Sequence, residues 1–240
     1  MRALVVLARL PAAPGDPDTV SVSINGINGA PSTSIVVLVG ITLLSVAPSL
    51  LLMTTAFTKI FVVLGLVRNA LGLQTTPPTQ VLAGLALFLS LFIMAPVLSD
   101  INTEAVQPYL AGQTTFTQAV EAGQRPLSAF MVAHTREEDI ALITRAAGAE
   151  NPASPEEVPF TTLAPAFMLS ELRSAFIIGF AIFVPFLIID LVVAASLMSM
   201  GMMMLPPIMV SLPFKLLLFV LVDGWGLIIR ALVGTYVGTG

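Results

Sequence analysis

The sequence predicts an all-α integral membrane protein, built of helical hairpins with four hydrophobic spans and a helical extramembrane segment. Three observations carry that reading. Mean hydropathy is +0.97, with 56% of residues apolar and 10% charged, outside the range of soluble globular domains. Charge is missing from long stretches: none lies between Thr19 and Thr58 or between Asn69 and Ser99, and from Ser174 to Ile229 only Asp190, Lys215 and Asp223 interrupt. A helix crosses hydrocarbon in about 20 apolar residues, so these stretches have the length for four crossings. The charge is instead concentrated in 99–173, which holds ten acids and four arginines, a balance of −6.

The elements follow in order. Residues 1–33 open with Arg2, the short apolar run Ala3–Ala8 and Arg9, then turn rich in Pro, Gly, Asn, Asp and Ser. They read as a mobile leader or signal region, although the apolar run is shorter than the roughly 7–15 residues of a secretory signal core. The first hydrophobic hairpin is expected over 34–98. Its spans are Ile35–Met53, with a kink at Pro48, and Thr79–Leu98. Between them an apolar connection, 54–73, carries Lys59 and Arg68 and ends at the breaker Thr75-Thr-Pro-Pro78.

The acidic segment 99–170 faces water. Thr115-Phe-Thr-Gln118 matches a capping box, and Gly123 is expected to stop that helix. Pro126 then opens another, with Leu127, Phe130 and Met131 on one face. Thr135-Arg-Glu-Glu138 is a second capping-box match that breaks this helix, and Gly148 closes the region. After the loop Asn151–Pro159, a helix from about Leu163 runs directly into the second hydrophobic hairpin, 171–234. Its spans are Phe176–Ser199, containing Pro185, and Pro213–Val233, and a short tail, 235–240, ends the chain. Lys59 and Arg68, the only charges between the first two spans, place that connection in the cytoplasm by the positive-inside rule, and 99–173 on the periplasmic side of a bacterial inner membrane. Arg230 fits that scheme poorly.

Several functional classes are excluded. A net charge of −4 gives no basic face for nucleic acid. With no cysteine there is no thiol or disulfide chemistry, and His134 is the only histidine, so no metal-ligand pattern exists. Neither VLVDGWG around Asp223 nor LIIDLVV around Asp190 has the GxGD pattern of an intramembrane aspartyl protease, and no GxSxG occurs. The sequence implies no enzyme and no cofactor.

Two groups remain. Met200, Met202, Met203 and Met204 lie in SLMSMGMMMLPP (196–207), between the last two spans. Methionine is unbranched and adaptable, which suits an apolar surface that closes and re-forms around variable partners. The alternative is loose packing of a tight turn. Asp190, Lys215 and Asp223 are ionisable groups inside apolar runs, where burial is costly. Asp190 and Lys215 flank the methionine loop and are spaced to pair, which makes them a structural ion pair or a proton or ion relay. A broken-helix secondary transporter is the rival to a pore.

At TTAFTKIFVVLGLVRNALG (54–72), PPTQVLAGLALFLSLFIMAPV (77–97), QRPLSAFMVAHTREEDIAL (124–142), 170–207 and LPFKLLLFVLVDGW (212–225) the chain resembles the FliP family of flagellar type III export-gate subunits. The resemblance covers about Pro48 to Trp225 in long, ordered blocks. It implies several copies assembling with FliQ-like and FliR-like subunits into a helical pore complex, beside FlhA-like and FlhB-like export proteins. That complex sits in the flagellar basal body of the inner membrane and passes unfolded flagellar proteins outward. The family's methionine-rich loop forms a gasket around the closed pore, which Met200, Met202, Met203 and Met204 match. Gates of virulence type III systems share many of these blocks and are the nearest alternative. An ion-coupled small-molecule transporter using Asp190 and Lys215 is the more distant one.

Overall fold

The structure is a computed structural model that describes residues 33–149, 152, 154, 157–202 and 204–237. The leader lies outside the described residues, as do Met203 and the last three residues. Among those described there are helices and no strand. The chain divides into two compact units, Met1–Ala47 and Pro48–Gly240. Helix α1, Thr33–Met53, runs through Pro48, so the proline removes one backbone donor without ending the helix.

The second unit is organised around α2, Phe57–Ala70, which sequence reasoning treated as a connection. Lys59, Ile60, Val63, Leu64, Val67 and Ala70 are all buried, one face of a helix at the 3.6-residue period. This face packs against α3, Thr79–Ile101, and α7, Phe160–Ser199. The core between them takes Leu82, Ala86 and Ile93 from α3 and Ala175 and Phe186 from α7. Phe219 of α8, Pro207–Leu221, and Ile228 and Leu232 of α9, Gly224–Val237, complete it. The approach of α2 to α7 is close at Gly179, where a Cβ would lie 2.2 Å from Leu66 Cδ1.

Helix α3 does not end near Leu98. It passes through one π-helical turn, Asn102–Val106, into α4, Gln107–Leu110, giving a continuous 32-residue rod. Helix α5, Phe116–His134, starts on the expected capping box, with Thr115 Oγ1 accepting from the Gln118 backbone N–H. It then runs through both Gly123 and Pro126, so the expected stop and restart do not occur. Gly123 is instead a point of close approach, where a Cβ would meet Ala105 Cβ at 3.4 Å.

The break after His134 falls where expected, but by another device. Thr135 Oγ1 donates back to the Met131 carbonyl at 2.6 Å rather than capping forward. Helix α6, Glu137–Ala146, is held from α7: Ser170 Oγ accepts the Arg136 N–H at 3.0 Å and donates to buried Asp139 at 2.6 Å. Gly148, at φ +69°, closes α6 in the left-handed conformation that glycine adopts freely. Met131, Ile140, Leu163, Ala166 and Phe167 form a second, smaller core among α5, α6 and α7.

Helix α7 has 40 residues, about 60 Å at 1.5 Å per residue, twice what hydrocarbon requires. It continues through Pro185, and its first turns pack into the second core through Leu163, Ala166 and Phe167. The expected fourth span is broken: α8 and α9 meet at a 62° bend. Among the described residues, two helices are thus long and apolar enough to cross a membrane, or up to four if each bent pair counts as one span.

The expected topology needs one correction. Lys59 was placed in a cytoplasmic connection and Glu171 in the segment on the opposite face. They are buried against each other at 2.8 Å, and residues separated by a bilayer cannot touch. Lys59 is consumed by an internal ion pair, so the positive-inside count that used it does not apply.

Candidate functional site: the methionine loop and its buried clamp

The methionine loop is defined by how α7 ends. Gly201 takes φ +75°, its N–H donates to the Met198 carbonyl, and the Met202 N–H donates to the Leu197 carbonyl at 3.0 Å. This pair of bonds is a Schellman stop, and it needs the left-handed conformation that glycine supplies at Gly201. Pro206 and Pro207 then start α8. At the cap of α7 Met200 is 64% exposed, and between the two signals Met204 is 99% exposed, with Met202 and Leu205 also on the surface. The described methionines are therefore exposed at and just beyond the end of a firmly terminated helix. Met203 lies outside the described residues.

Behind the loop, the two helices that carry it are pinned together. Lys215 of α8 is 3% exposed, and its Nζ lies 2.6 Å from Asp190 Oδ2 on α7. The same ammonium donates to the Ala70 carbonyl at the end of α2 at 3.2 Å. Ser211, fully buried, donates to Asp190 Oδ1 at 2.6 Å. Gly72, at φ +77°, lies beside this ammonium, and a Cβ there would stand 3.9 Å from Lys215 Nζ. Both carboxylate oxygens and two ammonium protons are thus engaged. A satisfied pair of this kind holds helices in register. The pairing of Asp190 with Lys215 is as the sequence suggested.

Asp223 does not join them. It occupies the bend between α8 and α9 at φ +51°, with its side chain exposed and 3.4 Å from Arg230 Nη2. Aspartate tolerates the left-handed region better than most residues. Arg230, which fitted the topology poorly, is therefore the partner of the aspartate at the bend.

A second buried ionic cluster was missed. Glu171 of α7 is 1% exposed, paired with Lys59 of α2 on one oxygen and accepting the Tyr236 hydroxyl of α9 on the other. Lys59 Nζ also sits 4.1 Å from the centre of the Tyr236 ring, and the His134 ring of α5 lies 4.9 Å from it, centroid to centroid. Four helices converge on it. A sequence signal existed: Lys59 falls on the apolar stripe Ile60, Val63, Leu64, Val67, so its helix face was already committed to the core. Nothing local marked Glu171 or Tyr236 as its partners.

Comparison with known proteins gives a consistent result. Residues 40–232 match the FliP family. The chain is 52% identical over 205 residues to the flagellar biosynthetic protein FliP of Bacillus subtilis (strain 168), covering 85% of this chain and 93% of that protein. To its counterpart in Pectobacterium carotovorum subsp. carotovorum it is 53% identical over 203 residues, with 85% and 79% covered. To that of Caulobacter vibrioides it is 46% identical over 235 residues, with 98% and 88% covered.

Proposed function

Because the chain belongs to the FliP family, whose relatives are named flagellar biosynthetic proteins, we propose that it is a pore-forming subunit of the flagellar type III export gate. In this reading several copies assemble with FliQ-like and FliR-like subunits in the inner membrane at the flagellar basal body. FlhA-like and FlhB-like proteins stand beside them, and unfolded flagellar proteins are the substrate. The chain is a conduit and catalyses no reaction.

The observation that carries the proposal is the exposure of Met200, Met202 and Met204 on a loop whose ends are fixed. A ring of such loops, one from each copy and including Met203, is a hydrophobic constriction that blocks water and ions by dewetting. Thioether side chains have three rotatable bonds and no charge, so they mould around any arriving polypeptide without demanding a sequence. The clamp of Lys215, Asp190 and Ser211 serves as the fixed base against which the loop moves. Its groups neutralise and satisfy each other, which favours a structural pair over a proton relay and weighs against the ion-coupled transporter.

The test is the triple variant Met202→Ala, Met203→Ala and Met204→Ala in the assembled complex. Assembly should persist while leakage of small solutes through the closed gate rises. A triple variant that assembles and stays as tight as the parent removes the gasket.

A further inference from the structure

The gate reading leaves unused a cleft of ≈ 580 Å³ beside the second ionic cluster. Its wall includes Lys59, Arg136, Arg173, Ser174, Ile177 and Ile178. Three cations face one carboxylate there, and Lys59 and that carboxylate, Glu171, already neutralise each other. The arginines remain. Both are half-exposed and share a single partner outside the wall, Glu138, at 2.8 Å from Arg136 and 3.8 Å from Arg173. Exposed ion pairs of this sort exchange readily for a better anion.

Beyond Arg173, helix α7 turns apolar. From Arg173 the residues Ile177, Phe180, Leu187 and Leu191 recur at helical spacing, and all four are exposed. They form a stripe about 21 Å long at 1.5 Å per residue. Arg173 is also the last charge before Asp190, so it stands where α7 passes from its polar to its apolar part. Guanidinium groups at that level reach toward lipid headgroups, and a guanidinium fork matches a phosphate with two parallel hydrogen bonds.

We propose that Arg136 and Arg173 bind the headgroup phosphate of an anionic phospholipid whose acyl chain lies along Ile177, Phe180 and Leu187. An acidic partner protein would satisfy the arginines, but only a molecule with an anionic head and a hydrocarbon tail matches the fork and the stripe together. The bound lipid would fix the depth at which α7 enters the membrane. The inference rests on membrane embedding and not on the gate: a chain that retained lipid yet failed in export would leave it standing.

The test is native mass spectrometry of the full chain purified in detergent, titrated with dioleoyl phosphatidylglycerol or dioleoyl phosphatidylcholine. The parent should retain phosphatidylglycerol in preference to phosphatidylcholine. Arg136→Gln or Arg173→Gln should weaken retention about fivefold, and the double variant about thirtyfold. Arg145→Gln, an exposed arginine on α6 outside the cleft, should change nothing. Equal retention of the two lipids by the parent, or undiminished phosphatidylglycerol in the double variant, overturns the proposal. If lipid retention is unchanged while the double variant loses its copies or other gate subunits, the cleft docks protein instead, and the proposal is equally wrong.

Discussion

Lys215 ties together the helices on either side of the methionine loop. Its ammonium is buried and donates to Asp190 and to the Ala70 carbonyl, joining α7, α8 and the end of α2. Removing one partner of a buried pair leaves the other charge uncompensated, at a cost of about 3–5 kcal/mol. Lys215→Ala should therefore lower the yield and thermal stability of the assembled complex, and detergent unfolding curves will show it. The complex that survives should leak no more than the parent. Normal stability with a selective export defect would instead make this pair a coupling element. Asp223 offers a contrasting test. Its left-handed backbone costs a β-branched residue about 1–2 kcal/mol, whereas glycine adopts it freely. Asp223→Gly should unfold at or near the parent temperature, and Asp223→Val clearly below it.

At the scale of elements, the apolar stretches, the Thr115 capping box and the long helix into the last hairpin were legible because each rests on local chemistry. The role of α2 was not read correctly. Lys59 and Arg68 made it look like a charged connection, yet Ile60, Val63, Leu64 and Val67 carried the helical period all along. Periodicity is the stronger signal here, because a lysine on an apolar stripe implies a buried partner. Gly123 and Pro126 misled in the opposite direction. Both carry strong local stop and start tendencies, and tertiary packing of α5 against the α3 rod overrode them. Which far residue answers Lys59 is settled only by long-range packing, so Glu171 and Tyr236 were invisible in the sequence. The α2–α7 contact makes its own prediction. Gly179→Ala pushes a Cβ into Leu66, an overpacking cost of about 1–3 kcal/mol. Leu66→Ala in the same chain should recover part of that loss, a coupling that a double-mutant cycle on thermal unfolding measures directly.

Viewed as one molecule, the chain has an outer surface unlike that of a finished soluble protein. Phe88, Phe92, Phe176, Ile177, Phe180, Leu187, Ile188, Leu191, Leu217 and Val220 are all exposed on α3, α7 and α8. Apolar area on this scale is covered by lipid or by other chains. In the proposed gate some of it meets sister copies, and the methionine loops converge where those copies surround a common axis.

Cysteine cross-linking at the tip of the loop tests the gate most directly, since the chain contains no cysteine and a single Met204→Cys thiol is unique. In the closed, assembled complex, mild oxidation should join copies through position 204 into disulfide-linked dimers that a thiol reductant reverses. A thiol that never cross-links, and is modified only by reagents dissolved in the lipid, would place the loop away from any shared axis and contradict the account.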